Sequence, residues 1–148
     1  MQELSTRIAL RELVDRYAAE VDRRRPGHVA ALFTEHGELL IHGPGDDEPR
    51  RAYTGRSAIE QALGGLSRFR VTSHLVAGQL LDLRGDEVTG ETYCLASHVY
   101  DGDGGQRMYT MSIRYQDTFL GDGERWLFAV RRERVDWAED RPFEPRPV

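Results

Sequence analysis

The chain has 148 residues, a size typical of one domain, so we expect a single domain over 1–148 with its core at about 4–138 and an irregular tail at 139–148. Charged residues make up 30% and the formal net charge is −5, which excludes a disordered composition and argues against a nucleic-acid partner, because phosphate binding needs a basic face. The single cysteine excludes an internal disulfide. Because the sequence lacks a signal-peptide pattern and an apolar run of roughly 20 residues, we expect a cytoplasmic protein with no membrane partner.

The first third of the sequence predicts two helices. Residues 5–22 carry apolar side chains at every third or fourth position, with Ser5 as the expected N-cap. The arginines at 23–25 suit a helix C-terminus, because cations interact favourably with the helix dipole there. Pro26 and Gly27 then break the run, and Pro26 favours the first turn of a short second helix that continues through Phe33.

The middle of the chain predicts one strand and one helix. Residues 38–42 form a short apolar strand, and the Gly, Pro and Asp residues at 43–49 are typical of a loop. A third helix is predicted at 57–63, ended by Gly64 and Gly65.

The second half predicts four long antiparallel strands at 69–83, 88–100, 108–120 and 126–137. Turns are expected at 84–86, 101–105 and 121–123. Helices on one side of such a sheet indicate an α+β domain, and strands longer than the usual 5 to 6 residues favour a sheet that curls. We therefore predict a cone-shaped α+β barrel, with a curved, mainly antiparallel sheet and about three N-terminal helices around a small-molecule pocket.

Four short motifs resemble the SnoaL-like family of the nuclear transport factor 2-like superfamily, over roughly residues 4–138. They are YAAEVDRRRPGHVAALFT at 17–34, YTGRSAI at 53–59, TSHLVAG at 72–78, and WLFAVR at 126–131 followed by VDW at 135–137. The family contains polyketide cyclases, scytalone dehydratase and lindane dehydrochlorinase. Ketosteroid isomerase and limonene epoxide hydrolase share the fold more distantly. The resemblance implies the fold more specifically than the function, because this fold carries many chemistries.

The resemblance also implies a set of site residues. In the dehydratase and the dehydrochlorinase an aspartate on the first helix pairs with a histidine on the first long strand, and the matching positions are Asp22 and His74. His98 resembles a second dehydratase histidine, Arg131 a pocket arginine on the last strand, and Tyr53 a pocket tyrosine before the third helix. Because His98 stands where the dehydrochlorinase has a small residue, lindane-like substrates are not expected.

The chemistry of the pair can also be argued from the residues themselves. Imidazole has the unperturbed pKa nearest neutrality, and a carboxylate on one ring nitrogen leaves the other nitrogen as a base. We expect the two side chains of Asp22 and His74 to meet at roughly 2.6 to 3.2 Å. The alternatives are a charged residue near a helix end and a half-buried strand histidine with a satisfied hydrogen bond.

Other candidate pocket residues follow from strand alternation. His98 shares a strand face with small residues and with Cys94, which is more typical of a buried hydrophobe than of a nucleophile. Met111 and Ile113 belong to the apolar face of the strand 108–120, with Tyr109, Tyr115 and Phe119. Tyr17 is a further candidate, although aromatic residues are more often core. For Arg131 the alternative is a salt bridge with a nearby carboxylate.

No cofactor is implied, because no glycine-rich phosphate motif links a strand to a helix. A two-histidine, one-carboxylate metal site could in principle be formed by Asp22, His74 and His98. Because no close histidine pair or cysteine cluster in the sequence supports such a site, we expect no metal.

The leading functional hypothesis is a lyase, dehydratase, cyclase or isomerase that acts on a small cyclic, polyketide-type molecule. His74 would be the base, oriented by Asp22. The alternatives are an epoxide-type hydrolase, in which a carboxylate activates water, and a non-catalytic small-molecule-binding module. A homodimer is also expected, with the polar face of the strand 108–120 at solvent or at a wet contact.

Overall fold

The computed structural model describes residues 1–84 and 87–147, so Gly85 and Asp86 of the predicted turn at 84–86 lie outside the described residues. The regular elements in chain order are α1 (Gln2–Asp22), α2 (Pro26–Ala30), β1 (Phe33–His42), β2 (Arg51–Thr54), α3 (Arg56–Gly64), a 3₁₀ turn (Gly65–Arg68), β3 (Val71–Asp82), β4 (Val88–Gly102), β5 (Gly105–Gly121) and β6 (Trp126–Pro142).

The six strands form one curved, mixed sheet in the order β2-β1-β6-β5-β4-β3. All neighbouring strands are antiparallel except β1 and β6, which run parallel. The three strands β4, β5 and β6 are 15, 17 and 17 residues long, and tight turns join them. The predicted α+β fold with a curved, mainly antiparallel sheet and three N-terminal helices is therefore confirmed.

The helix α1 packs against β3 and β6 and fixes where its last residue lies. Its buried face carries Leu10, Val14, Tyr17 and Val21, spaced three or four residues apart as an amphipathic helix requires. The helix ends at Asp22, and the chain then turns through a left-handed backbone conformation at residue 24. Asp22 is thereby held beside β3.

Among residues 1–84 and 87–147, no helix is long and apolar enough to cross a membrane.

Two predicted helix boundaries are wrong. Ser5 is not the N-cap, because α1 begins at Gln2 and the Ser5 N–H already donates to the Met1 carbonyl inside the helix. The second helix ends at Ala30, and Phe33 begins β1 instead. Phe33 is fully buried and lies opposite Phe128 of β6, so the tertiary strand pairing overrides the helical pattern of the local sequence.

The strands differ from the prediction in two places, at β2 and at the end of β6. The short edge strand β2 was not predicted, since its sequence RAYT has no clear alternation. The tail is also more regular than expected, because β6 continues to Pro142, which lies opposite Arg107 of β5. The last strand therefore ends at Pro142 and not at the predicted residue 137.

Candidate functional site

A cavity of about 470 Å³ lies inside the curved sheet, under α1 and α3. Its walls are mostly apolar, and solvent-exposed arginines stand at its edge at positions 50, 51 and 68. A wider, more open groove of about 690 Å³ runs over the ends of β3, β4 and β5 around Asp82 and Gln116. The inner cavity is the better candidate site, because it is more enclosed and because His74 lines it.

The side chains of Asp22 and His74 form a hydrogen bond inside this part of the molecule. Asp22 Oδ1 lies 2.7 Å from His74 Nδ1, and Asp22 Oδ2 accepts the backbone N–H of His74 at 2.9 Å. The hydroxyl of Thr72 donates to Oδ1 at 2.9 Å. Thr72 and His74 are two positions apart, so they lie on the same face of β3. Their hydrogen bonds to Asp22 attach the end of α1 to this part of the strand.

These contacts favour the ionised form of Asp22 and set which ring nitrogen of His74 is the hydrogen-bond donor. Burial alone would raise the pKa of Asp22, but the hydrogen bonds from His74 and Thr72 outweigh burial and lower that pKa below its usual value. The ionised carboxylate can only accept, so Nδ1 of His74 donates its proton to Asp22 and Nε2 is the ring nitrogen that can act as a base. The His74 side chain is only 7% exposed. The arrangement can therefore take a proton from a bound molecule.

His98 extends this polar group on the neighbouring strand β4. Its ring centroid lies 5.5 Å from that of His74, and it also contacts the rings of Phe69 and Tyr109. Burial, and then the positive charge that His74 can carry, lower the pKa of His98 to about 4. Its Nδ1 is buried and has no hydrogen-bond partner among the described residues. At neutral pH, His98 is therefore an uncharged ring.

The neutral ring of His98 should make the folding free energy depend on pH. Its pKa is about 4 in the fold but 6.5 in an ordinary histidine, so between these values the unfolded chain binds the additional proton. Stability should fall as the pH drops from about 6.5 towards 4, by up to about 3 kcal/mol. His98→Gln should therefore lose less stability than the wild type between pH 7 and pH 4.5 in urea titrations. Equal losses in the two proteins would contradict this.

The other predicted pocket residues divide into two groups. Tyr17, Tyr53, Met111 and Ile113 line the cavity, as does His98. Cys94 does not line it. Its thiol lies in the core at 3% exposure, and burial raises its pKa to about 11, so the cysteine is a small hydrophobic residue here.

Arg131 does not line the cavity either, which does not fit its predicted contact with substrate. Its side chain is fully buried, and its Nε and Nη2 donate to the two carboxylate oxygens of Asp117, each at 2.8 Å. The guanidinium carbon lies 4.2 Å from the ring centre of Tyr17 and 4.1 Å from those of Tyr115 and Phe128. Arg131 is thus part of the support behind the cavity wall, and the salt-bridge alternative describes its environment.

Sequence reasoning missed Glu133, a carboxylate on the cavity wall. The Tyr17 hydroxyl donates to its Oε1 at 2.9 Å. Strand alternation was the available signal, because Arg131, Glu133 and Val135 must share one face of β6. Within the described residues, the His, Cys, Asp and Glu side chains form no group of three or more that could hold a metal ion.

Comparisons with known proteins agree with this architecture. The SnoaL-like domain family matches residues 2–132. A scytalone dehydratase-like protein from Novosphingobium aromaticivorans superposes with a TM-score of 0.81 at 26% identity, covering 96% of this chain and 91% of that one. A hexachlorocyclohexane dehydrochlorinase from Novosphingobium barchaimii gives a TM-score of 0.80, covering 97% of each chain, but at 18% identity it shows the fold alone.

A relative by sequence is an uncharacterized Mycobacterium tuberculosis protein, 24% identical over 131 residues, which are 88% of this chain and 86% of that protein. The family match spans most of the chain, and the cavity, the curved sheet and the three helices accord with it. The chain belongs to the SnoaL-like domain family and has the nuclear transport factor 2-like fold.

Proposed function

We propose that this protein is a cofactor-independent acid–base enzyme in which His74 takes a proton from a small cyclic molecule and Asp22 orients the imidazole. The observation that carries the proposal is the 2.7 Å contact between His74 Nδ1 and Asp22 Oδ1, with the ring at a cavity wall. The carboxylate fixes the ring tautomer and stabilises the imidazolium that forms on proton transfer.

The cavity supports a compact, largely apolar substrate. About 470 Å³ lies within the range of small-molecule sites, and Leu39, Leu63, Met111 and Ile113 are among the apolar residues that line it. The two solved structures described above are a dehydratase-like protein and a dehydrochlorinase, whose names both denote elimination reactions. We propose elimination, cyclisation or isomerisation of a cyclic, polyketide-type carbonyl compound as the reaction class.

Two other functions are less well supported. In an epoxide-type hydrolase Asp22 would activate water, but both of its oxygens already accept hydrogen bonds from Thr72 and His74. A module that only binds a ligand would not need an imidazole oriented by an ionised carboxylate. The open cavity and the oriented ring together favour catalysis.

The test is hydrogen exchange at carbon, which needs no knowledge of the natural substrate. A panel of cyclic ketones that includes 1-tetralone is incubated with the protein in D₂O, and proton NMR follows deuterium uptake next to the carbonyl. The wild type should exchange these protons faster than buffer does. The proposal fails if members of the panel bind in the cavity and none exchanges faster than in buffer.

We also propose that the protein forms a homodimer through the outer face of the sheet. Leu75, Leu95 and Trp137 are 67%, 40% and 48% exposed there. Strand register places them in one row across β3 to β6, with Ser112 between Leu95 and Trp137. Burying such a row removes apolar surface from water.

Sedimentation at micromolar concentration should therefore give a dimer for the wild type. Leu95→Glu should give a monomer, because pairing would place two carboxylates in an apolar contact. A wild-type species of 16.9 kDa would contradict the homodimer.

A further inference from the structure

The opening of the inner cavity is lined by three exposed arginines, at positions 50, 51 and 68. Arg50 forms an ion pair with Asp46. The side chains of Arg51 and Arg68 have no ion-pair or hydrogen-bond partner among residues 1–84 and 87–147. Two guanidinium groups at the opening are therefore available to a ligand.

These two arginines belong to different elements, and each is placed by a local contact. Arg51 begins β2 opposite Ile41 of β1 and is two positions from Tyr53, so the three residues share the face of the hairpin that lines the cavity. Arg68 ends the 3₁₀ turn, and its guanidinium carbon lies 4.7 Å from the ring centre of Phe69. Strand pairing and the cation–π contact thus hold both arginines at the cavity wall.

A row of rings joins the opening to the inner histidines. The ring of Phe69, beneath Arg68, lies 4.8 Å from that of His98 between centres. The ring of His98 lies 5.5 Å from that of His74. A ligand in the cavity therefore meets imidazole and apolar walls inside and positive charge at the opening.

Carboxylates offset little of this positive charge. Of the described residues that line the cavity, Glu133 alone carries a carboxyl group, and burial raises its pKa, which favours the neutral form. Asp47 and Glu48 are exposed in the loop between β1 and β2, and neither lines the cavity. The chain as a whole has a formal net charge of −5, so the positive opening is a local feature of a negative protein.

We propose that the opening is a subsite for an oxyanion, so that the ligand is an acid with a compact apolar ring system inside the cavity. Arg51 and Arg68 hold its carboxylate or phosphate group at the opening. A guanidinium suits either group, because its N–H donors can bind two oxygens at once. This inference rests on the proposed function for the place of the reacting carbon near His74, but the binding of the anion does not depend on it.

Probes that differ in one charge test the subsite. 1-Tetralone-6-carboxylate and its methyl ester share a ring system and differ at the end away from the ketone. In calorimetry at low salt the wild type should bind the carboxylate about tenfold more tightly than the ester, since each exposed ion pair contributes modestly. The preference should shrink at about 0.5 M sodium chloride, because salt screens exposed charges.

A second pair of probes distinguishes the two kinds of anion. The phosphate ester of 6-hydroxy-1-tetralone is compared with the corresponding methyl ether under the same conditions. A preference for either anion over its uncharged counterpart supports the subsite, and the larger preference identifies the group that it binds.

Substitutions at the opening should remove the preference without harming the cavity. Arg51→Gln and Arg68→Gln should each reduce it about threefold, and the double variant should abolish it, while binding of the ester changes by less than about twofold. Arg51→Lys should keep part of the preference, because it retains the charge but not the paired donors. The matched control is Arg16→Gln on α1, which removes an exposed arginine outside this cavity, changes the net charge equally and should leave the preference intact.

Deuterium exchange next to the ketone separates binding from the reaction. In the double variant the half-saturating concentration of the carboxylate probe should rise about tenfold, whereas the maximal exchange rate should change by less than about twofold. This split is expected because the arginines hold the end of the ligand away from the reacting carbon. A substitution that distorted the cavity would lower the maximal rate for the ester as well.

The outcomes distinguish the anion subsite from the proposed function. Equal affinity for each anion and its uncharged counterpart would overturn the subsite, as would a preference that survives in the double variant. If an anion binds preferentially and no probe exchanges faster than in buffer, the subsite stands and the proposed function fails. If the carboxylate and its ester exchange with equal half-saturating concentrations, the proposed function stands and the subsite fails.

Discussion

His74→Ala should lower the rate of proton removal from carbon by about 10² to 10⁴-fold, because the substitution deletes a positioned base. Asp22→Asn should come close to the same loss. An amide can hold the ring, but it cannot stabilise the imidazolium that forms when Nε2 takes a proton. Deuterium uptake by a cyclic ketone measures both effects directly, since it reports proton removal and not a later step.

The double variant separates a dyad from two independent residues. If Asp22 acts only through His74, the two substitutions together should be little worse than either alone, whereas independent contributions would multiply. His36→Ala and Asp15→Asn are matched controls, because both side chains are exposed, and Asp15 lies on α1 like Asp22. Both controls should keep wild-type rates.

Ligand binding and folding must be measured on the same variants. Each should keep the wild-type circular dichroism and still bind 1-tetralone, since the apolar walls of the cavity are unchanged. Full exchange activity in His74→Ala would refute the base assignment, and multiplicative losses in the double variant would refute the paired action.

Much of the fold could be predicted because local and tertiary preferences agree along most of the chain. The apolar period of α1 and the Gly-Asp turns between the long strands each indicate one structure. Prediction failed where tertiary contacts decide the outcome. Phe33 has helical neighbours in sequence, yet its buried position opposite Phe128 makes it the start of β1. Likewise β6 runs to Pro142 because its last residues pair with the start of β5, a contact that the local sequence does not reveal.

The candidate site was predictable where a motif fixes both the residue and its element. Asp22 ends α1, and His74 lies on the strand opposite it, so two local positions are enough to bring them together. Arg131 and Glu133 needed more information. Both side chains face inwards from β6. The position of Asp117 on β5 shows that Arg131 forms a buried ion pair, whereas Glu133 lines the cavity. Alternation gives the face of a strand but not the depth of a residue on that face.

Asp117→Asn should destabilise the fold by about 3 to 5 kcal/mol, because it leaves the guanidinium of Arg131 buried without a counter-charge. Both side chains are fully buried. Burial opposes the charge on Arg131, but the charge and hydrogen bonds of Asp117 outweigh it and hold the arginine pKa above its usual value. Urea denaturation measures the loss. A change under about 1 kcal/mol would mean that the aromatic rings around Arg131 stabilise the charge without Asp117.

Replacing both partners tests whether the ion pair adds to the stability of the fold or only compensates for the burial of its own two charges. Arg131→Met with Asp117→Leu fills the same space without charge, so it should recover most of the loss. The surface pair Arg114 and Asp136, at 34% and 33% exposure, is the control, and its loss should stay within about 1 kcal/mol.

The double variant that recovers stability should still differ from the wild type at the cavity. Arg131 stacks on Tyr17, and the Tyr17 hydroxyl donates to Glu133, so removing the guanidinium removes one of the contacts that position this ring. Recovery of stability together with slower deuterium uptake by 1-tetralone would assign the buried pair to positioning Tyr17 and Glu133 at the cavity wall and not to folding.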